Sequence, residues 1–212
     1  NILQPVGMDE CVASKNLIPA DEPFVTGHER AAGADAGVPI DERLAFSETW
    51  NPAGGIWCDT EGMMKWGRFW LDGGVTADGK RLLSEKQAAE VWKGVTPETV
   101  SGSLRKAGVS HLELYALGWN VQDFEGRLLV SHGGGAPGVV SNFMIIPEEN
   151  IVLFSATNDY RGAPSTFNFA MADELLGQQD HDFIGEWGGA FAKREAEGTK
   201  LLADTAASPP AD

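Results

Sequence analysis

The stretch VSHGGGAPGVVSNFMII, residues 130–146, sets His132 against three consecutive glycines, and Gly133, Gly135 and Gly138 are spaced as G-x-G-x-x-G. One chemistry for that spacing is dinucleotide binding, in which the glycine turn opens a helix whose N-terminal N–H groups hold a pyrophosphate. Pro137 suits a first helical turn, and Asp159 lies at a suitable distance downstream. The residues after Gly138 argue against it. Val139, Val140, Phe143, Met144, Ile145 and Ile146 are mostly β-branched or aromatic without helical spacing, so they read as a strand buried on both faces. Pro147 to Asn150 is then a turn and Ile151 to Ala156 a second strand. Strand, glycine turn and strand make a hairpin, and the glycines serve instead to let a ligand approach the backbone closely beside His132.

Other residues with chemical potential are fewer. Ser103-Leu104-Arg105-Lys106 has a lysine one helical turn from a serine, the spacing by which an amine takes a hydroxyl proton. That arrangement needs a buried helix start, whereas TPETVSGSLRKAGVS is polar, carries Gly102 and Gly108, and reads as a loop. The spacing there is read as coincidence. His28 opens HERAA, which lacks the second histidine of H-E-x-x-H. His28, His111 and His181 lie in polar segments and read as structural or solvated side chains. Cys11 and Cys58 match no metal or redox spacing and read as two unremarkable thiols. Neither a metal nor a cofactor is called for.

The elements that must position His132 and its glycines come from the surrounding pattern. The 212 residues suffice for one domain with a real core, and 42% apolar content indicates a globular chain. A net charge of −15 argues against nucleic acid and against an anionic membrane surface as partners. No apolar run has the length of a membrane span, and nothing resembles a signal peptide. NILQPVGMDE looks like a helix end running into a turn and ADTAASPPAD like a linker, so both ends are expected to continue into a longer protein. Residues 9–56 are rich in proline and glycine and predict mostly loop, with a short strand around Phe24, Val25 and Thr26. A loop region of that length borders a site or a partner segment. Asp59 caps a helix with Met63, Trp66, Phe69 and Trp70 on its apolar stripe, stopped by Gly73-Gly74. Ser84 and Gln87 form a capping box for a second helix. Strands are predicted at 117–124, 127–132, 139–146 and 151–157, the first two joined by the tight turn Glu125-Gly126. Helices are predicted from Pro164 to Leu175 and from Phe183 to Ala203.

Three segments, NPAGGIWCDTEGMMKWGRFWLDGG, GKRLLSEKQAAEVW and ALGWNVQDFEGRLLVSHGGGAPGVVSNFMIIPEENIVLFSATND, resemble in that order the C-terminal half of serine β-lactamase-like hydrolases. That group includes class C β-lactamases, D-alanyl-D-alanine carboxypeptidases, D-aminopeptidases and esterases. The resemblance covers about residues 1–176 and implies an α+β protein with a partial β-lactamase/penicillin-binding-protein-like fold. Such a fold has an antiparallel sheet, about four strands of it here, packed with helices and part of a helical subdomain. The implied organisation is 1–115 for helical subdomain and active-site loops, 116–178 for the C-terminal strands and helix of the catalytic domain, and 179–212 for a helix and linker towards a further domain. In the family a strand carries K-T-G or a variant such as H-x-G, and His132-Gly133-Gly134 falls on that motif. Gly135 then falls where the family supplies an oxyanion-hole N–H, Gly133 and Gly134 line the substrate, and His132 acts as a hydrogen-bond donor or proton shuttle. The family's S-x-x-K and Y-x-N motifs lie upstream of the segments seen here, and neither occurs in a matching context.

The resemblance therefore implies the C-terminal part of a hydrolase acting on an amide, ester or β-lactam, inactive alone. Its expected partners are a small-molecule or peptide substrate and the N-terminal half of the same protein. The rival readings are a non-catalytic binding or regulatory protein with the same fold, or a purely structural domain. Relatives are often exported or periplasmic, while the residues themselves leave the compartment open.

Overall fold

A computed structural model describes residues 2–30, 36–41, 46–159, 163–178 and 181–207. Its centre is an antiparallel meander in which sequence neighbours are also spatial neighbours. The strands are β3 (Thr96–Glu98), β4 (Glu113–Tyr115), β5 (Asn120–Phe124), β6 (Arg127–Ala136), β7 (Val139–Ile146) and β8 (Ile151–Thr157). A separate two-residue ribbon pairs β1 (His28–Glu29) with β2 (Val38–Pro39). The sheet thus extends beyond the four predicted strands by β3 and β4. Each has only three residues, and β3 is exposed throughout, so neither has an alternating run long enough to read. The short ribbon begins at His28, and no strand forms at 24–26.

Helices are α1 (Leu3–Val6), α2 (Asn51–Gly54), α3 (Thr60–Leu71), α4 (Glu85–Val91), α5 (Gly102–Ala107), α6 (Ala163–Leu175) and α7 (Phe183–Ala207). Asp59 caps α3 by accepting from the Gly62 N–H at 2.8 Å, and the predicted capping box of α4 is present. α3 covers one face of the sheet, while α6 and the start of α7 cover the other. The apolar run in β7 serves both layers. Phe143 and Ile145 join Phe69, Trp70, Trp119 and Val130 on the α3 side. Met144 and Ile146 join Phe124, Leu129, Phe169 and Phe183 on the α6 side. A strand buried on both faces needs every residue apolar, which is why no alternation marks it. α3 approaches the sheet through Gly67, where a β-carbon would fall 2.4 Å from Val152 Cγ1. On the other face Asn168 of α6 donates to the carbonyl and side-chain oxygens of Asn142 at 3.0 and 2.8 Å, locking α6 to β7.

Two sequence readings need correction. Cys11 and Cys58 are not separate thiols but a disulfide across 47 residues. Gly62 lies against both sulfurs, so α3 packs directly on the bridge. Cysteine spacing alone cannot reveal a pairing made by a fold. Ser103 to Lys106 is not loop but α5, a six-residue helix anchored by the buried Leu104. Gly108, at φ +77°, closes it with N–H bonds from Gly108 to the Arg105 carbonyl and from Val109 to the Leu104 carbonyl. One anchoring leucine gives too little periodicity to detect. Ser103 is half-buried, Lys106 is exposed, and no hydrogen bond joins them.

Candidate active site at the free edge of strand β6

The predicted strand 127–132 continues to Ala136, so Gly133, Gly134 and Gly135 are strand residues and the turn is Pro137-Gly138 alone. This rules out a helix starting at Gly135 or Ala136, and with it the dinucleotide reading of the glycines. Gly138 has φ +73°, and a β-carbon there would lie 2.6 Å from the His28 nitrogen. His28 N–H donates to the Gly138 carbonyl at 3.2 Å, holding the tip of the hairpin against β1.

His132 is inside β6, at the point where its surroundings change. On one side β6 pairs with β7 along its length from Val130 to Ala136. On the other, pairing with β5 ends at Ser131, opposite Asn120. No strand among the described residues pairs with His132–Ala136 on that side. β5 stops because the chain turns at Gly118, at φ +80°, with the Ala116 N–H donating to the Trp119 carbonyl at 2.8 Å. Alternation in an antiparallel ladder then determines which groups face the gap. A two-residue turn makes Ala136 and Val139 a hydrogen-bonded pair, so Gly135–Val140 and Gly133–Asn142 are non-bonded pairs. The N–H and C=O of Gly133 and Gly135 therefore point away from β7, towards the free edge. The Glu125-Gly126 turn sets the same phase from the other end, because it makes Ser131 a bonded partner of Asn120 in β5.

A β-carbon at Gly133 would meet nothing nearer than the Ser141 carbonyl at 3.8 Å, so packing does not require glycine there. At Gly134 it would meet Ser141 Oγ at 2.5 Å. His132 is exposed and reaches over the end of β5 to Tyr115 of β4, with Tyr115 Oη 3.1 Å from Nε2. Its Nδ1 lies 2.6 Å from the Gly133 carbonyl. A carbonyl only accepts, which assigns the proton to Nδ1 and leaves Nε2 to accept from the Tyr115 hydroxyl. The imidazole is thus fixed in tautomer and orientation at the head of the exposed edge.

Beyond it, Glu29, Arg30, Trp50, Gly135, Ala136, Pro137 and Gly138 line an open groove of about 470 Å³. Arg30 contributes a cation paired with Asp159 at 2.9 Å, and Trp50, 48% exposed, contributes an aromatic face. The proline- and glycine-rich stretch does border this groove through Glu29, Arg30 and Trp50. Those residues and Tyr115 escaped the sequence reading because each sits alone in its segment, without periodicity or motif. The structure brings His132, Gly133, Gly134 and Gly135 onto one edge. His111 lies elsewhere, its Nδ1 2.9 Å from Asp123 Oδ2, and so does His181, beside Glu125. An edge of this kind can hold an extended substrate by main-chain hydrogen bonds and offer N–H groups to a carbonyl oxygen.

Comparison with known proteins bears on the family and the fold. The Beta-lactamase family profile matches residues 1–177. Penicillin-binding protein 4 of Amycolatopsis lactamdurans is 28% identical over 127 residues, covering 60% of this chain and 31% of that protein. An octameric penicillin-binding protein homologue from Pyrococcus abyssi superposes with a TM-score of 0.66 at 19% identity, covering 84% of this chain and 36% of that one. The chain therefore spans about a third of the length of these relatives. Since the family match takes in all of the central sheet and α1 to α6, the chain belongs to the beta-lactamase family and has its serine hydrolase-like α+β fold.

Proposed function

We propose that the chain is the substrate-side, C-terminal portion of a β-lactamase-like serine hydrolase that cleaves an amide, ester or β-lactam through an acyl-enzyme. The observation that carries this reading is the free edge of β6, where the Gly135 N–H faces outward beside an oriented His132. The substrate lies along His132–Ala136, Gly133 and Gly134 leave room for it, and Gly135 donates to the oxygen that becomes negative when the carbonyl is attacked. His132, oriented by Tyr115, stands at the substrate's polar end. The attacking serine and its lysine base belong to the N-terminal half, since Ser103 and Lys106 sit on a short helix with no hydrogen bond between them. The outer edge of β8, unpaired among the described residues, is where strands of that half add to the sheet. The Cys11–Cys58 bridge favours an oxidising, exported setting.

The chain alone is expected not to hydrolyse a chromogenic cephalosporin or a nitrophenyl ester, and to gain turnover when co-expressed with its upstream half. Saturable turnover by the chain alone that disappears in Ser103→Ala would overturn the assignment. An upstream half lacking S-x-x-K and Y-x-N would favour the non-catalytic binding reading.

A further inference from the structure

At the opposite end of β6 from the glycines, Glu125, Asp173 and His181 converge from three separate segments. One oxygen or nitrogen ligand atom of each lies within 4.8 Å of the other two. Asp173, on α6, is 2% exposed, and its Oδ1 is buried with no hydrogen-bond partner. His181 Nε2 stands 3.5 Å from Glu125 Oε1, and these side chains are 25% and 18% exposed. The His181 ring packs on Phe183 with centroids 5.6 Å apart, and Phe183 in turn packs with Phe124 and Phe169, with ring centroids 5.3 to 6.2 Å apart.

Glu125 itself is unusual. It occupies the first turn position between β5 and β6 at φ +50°, where asparagine, aspartate or glycine is ordinarily found. Its backbone is held there by its N–H to the Val109 carbonyl and by Arg127 Nη1 to its own carbonyl, both at 2.9 Å. A side chain retained against its backbone preference and aimed at a second carboxylate is stabilised by a positive charge or a proton between the two.

We propose that Glu125, Asp173 and His181 form a binding site for a divalent cation of the zinc class. One imidazole nitrogen and two carboxylate oxygens are a ligand set for a borderline ion, whereas calcium and magnesium favour oxygen alone. Bonds of about 2.0–2.2 Å would draw the three atoms slightly closer than they stand. The ion neutralises both carboxylates, satisfies the buried Asp173 oxygen and fastens the start of α7 to the β5–β6 turn. It lies at the far end of β6 from the substrate groove, so it acts on the fold and not on the reaction.

The test is titration calorimetry and thermal melting of the chain, disulfide intact, with zinc chloride and separately with magnesium chloride. One zinc ion per chain should bind and raise Tm, with no rise from magnesium. His181→Ala and Asp173→Asn should each weaken zinc binding by at least about 100-fold, since loss of even an outer partner of a ligand typically costs 10–100-fold. Glu125→Gly separates a lost ligand from a damaged fold. It relieves the left-handed backbone and should raise Tm without metal while abolishing the zinc-dependent rise. Absence of zinc binding, an equal response to magnesium, or a zinc response that survives in folded Glu125→Gly or His181→Ala would overturn the site.

Discussion

From Arg127 to Ser131, β6 pairs with β5, at Val130 and Ser131 with β7 as well, and buries Leu129 and Val130 completely. From His132 to Ala136 the same strand has one neighbour, and Gly133, Gly134 and Gly135 are exposed. The backbone conformation is the same in both halves; what differs is where β5 ends. In the first half β5 pairs with one edge throughout, β7 and the Glu148 carboxylate at the Leu128 N–H meet the other, and the side chains fill two cores, so that half specifies the fold. In the second, outward-facing N–H and C=O groups remain available and the side chains are reduced to hydrogen atoms, so a ligand can act as the missing strand. In the proposed function one strand thus supplies rigidity at one end and recognition at the other, and the ladder fixes the aim of the Gly135 N–H without help from a loop.

The two halves should fail in different ways when altered. In the complete enzyme that the proposed function implies, Gly135→Pro removes the outward N–H while leaving both cores intact. It should lower kcat by roughly 10² to 10³, about 2.7 to 4 kcal/mol, with little change in Tm. A folded Gly135→Pro protein with undiminished kcat would remove the oxyanion role. Leu129→Ala, six residues earlier, should show the reverse. It opens a cavity beside Phe124 and Met144 and should cost about 3 kcal/mol of stability in denaturant unfolding. Activity per folded molecule should hold, and a specific loss of kcat would mean that the halves are coupled. Tyr115→Phe tests the junction between them. It removes the hydroxyl donor to His132 and should lower kcat/KM by about fivefold, roughly 1 kcal/mol.

The smallest effect lies at the rim of the sheet, where charge rather than packing is at stake. Glu113 in β4 stands directly opposite Glu98 in β3. Partial burial, and then the Glu98 charge, raises the Glu113 carboxyl above its ordinary value. A raised carboxyl binds its proton more tightly in the folded state, so this contribution is most favourable below about pH 4.5 and is lost as pH rises through the folded value. Glu113→Gln should therefore stabilise the protein at neutral pH by about 0.5 kcal/mol and change nothing in strong acid. Tm measured across pH decides it, and a variant equally stabilised at both extremes would point to packing instead.

The sequence by itself determined the parts whose signals are local. The tight turns at Glu125-Gly126 and Pro147–Asn150, the caps at Asp59 and Ser84, the stripe of α3 and the doubly buried run of β7 follow from neighbouring residues. His132 and Gly135 were singled out through family resemblance, while the sequence read their glycines as the turn that the structure confines to Pro137-Gly138. Only the tertiary structure decided what depends on contacts across the chain. It paired Cys11 with Cys58, made a helix of 102–107 by burying Leu104, and added β3 and β4 to the sheet. It also brought Tyr115 to His132, Arg30 and Trp50 to the groove, and Glu125, Asp173 and His181 to one point. Each of these joins residues too far apart in the chain for periodicity or turn chemistry to relate them, so their meeting follows from how the sheet stacks and where β5 ends.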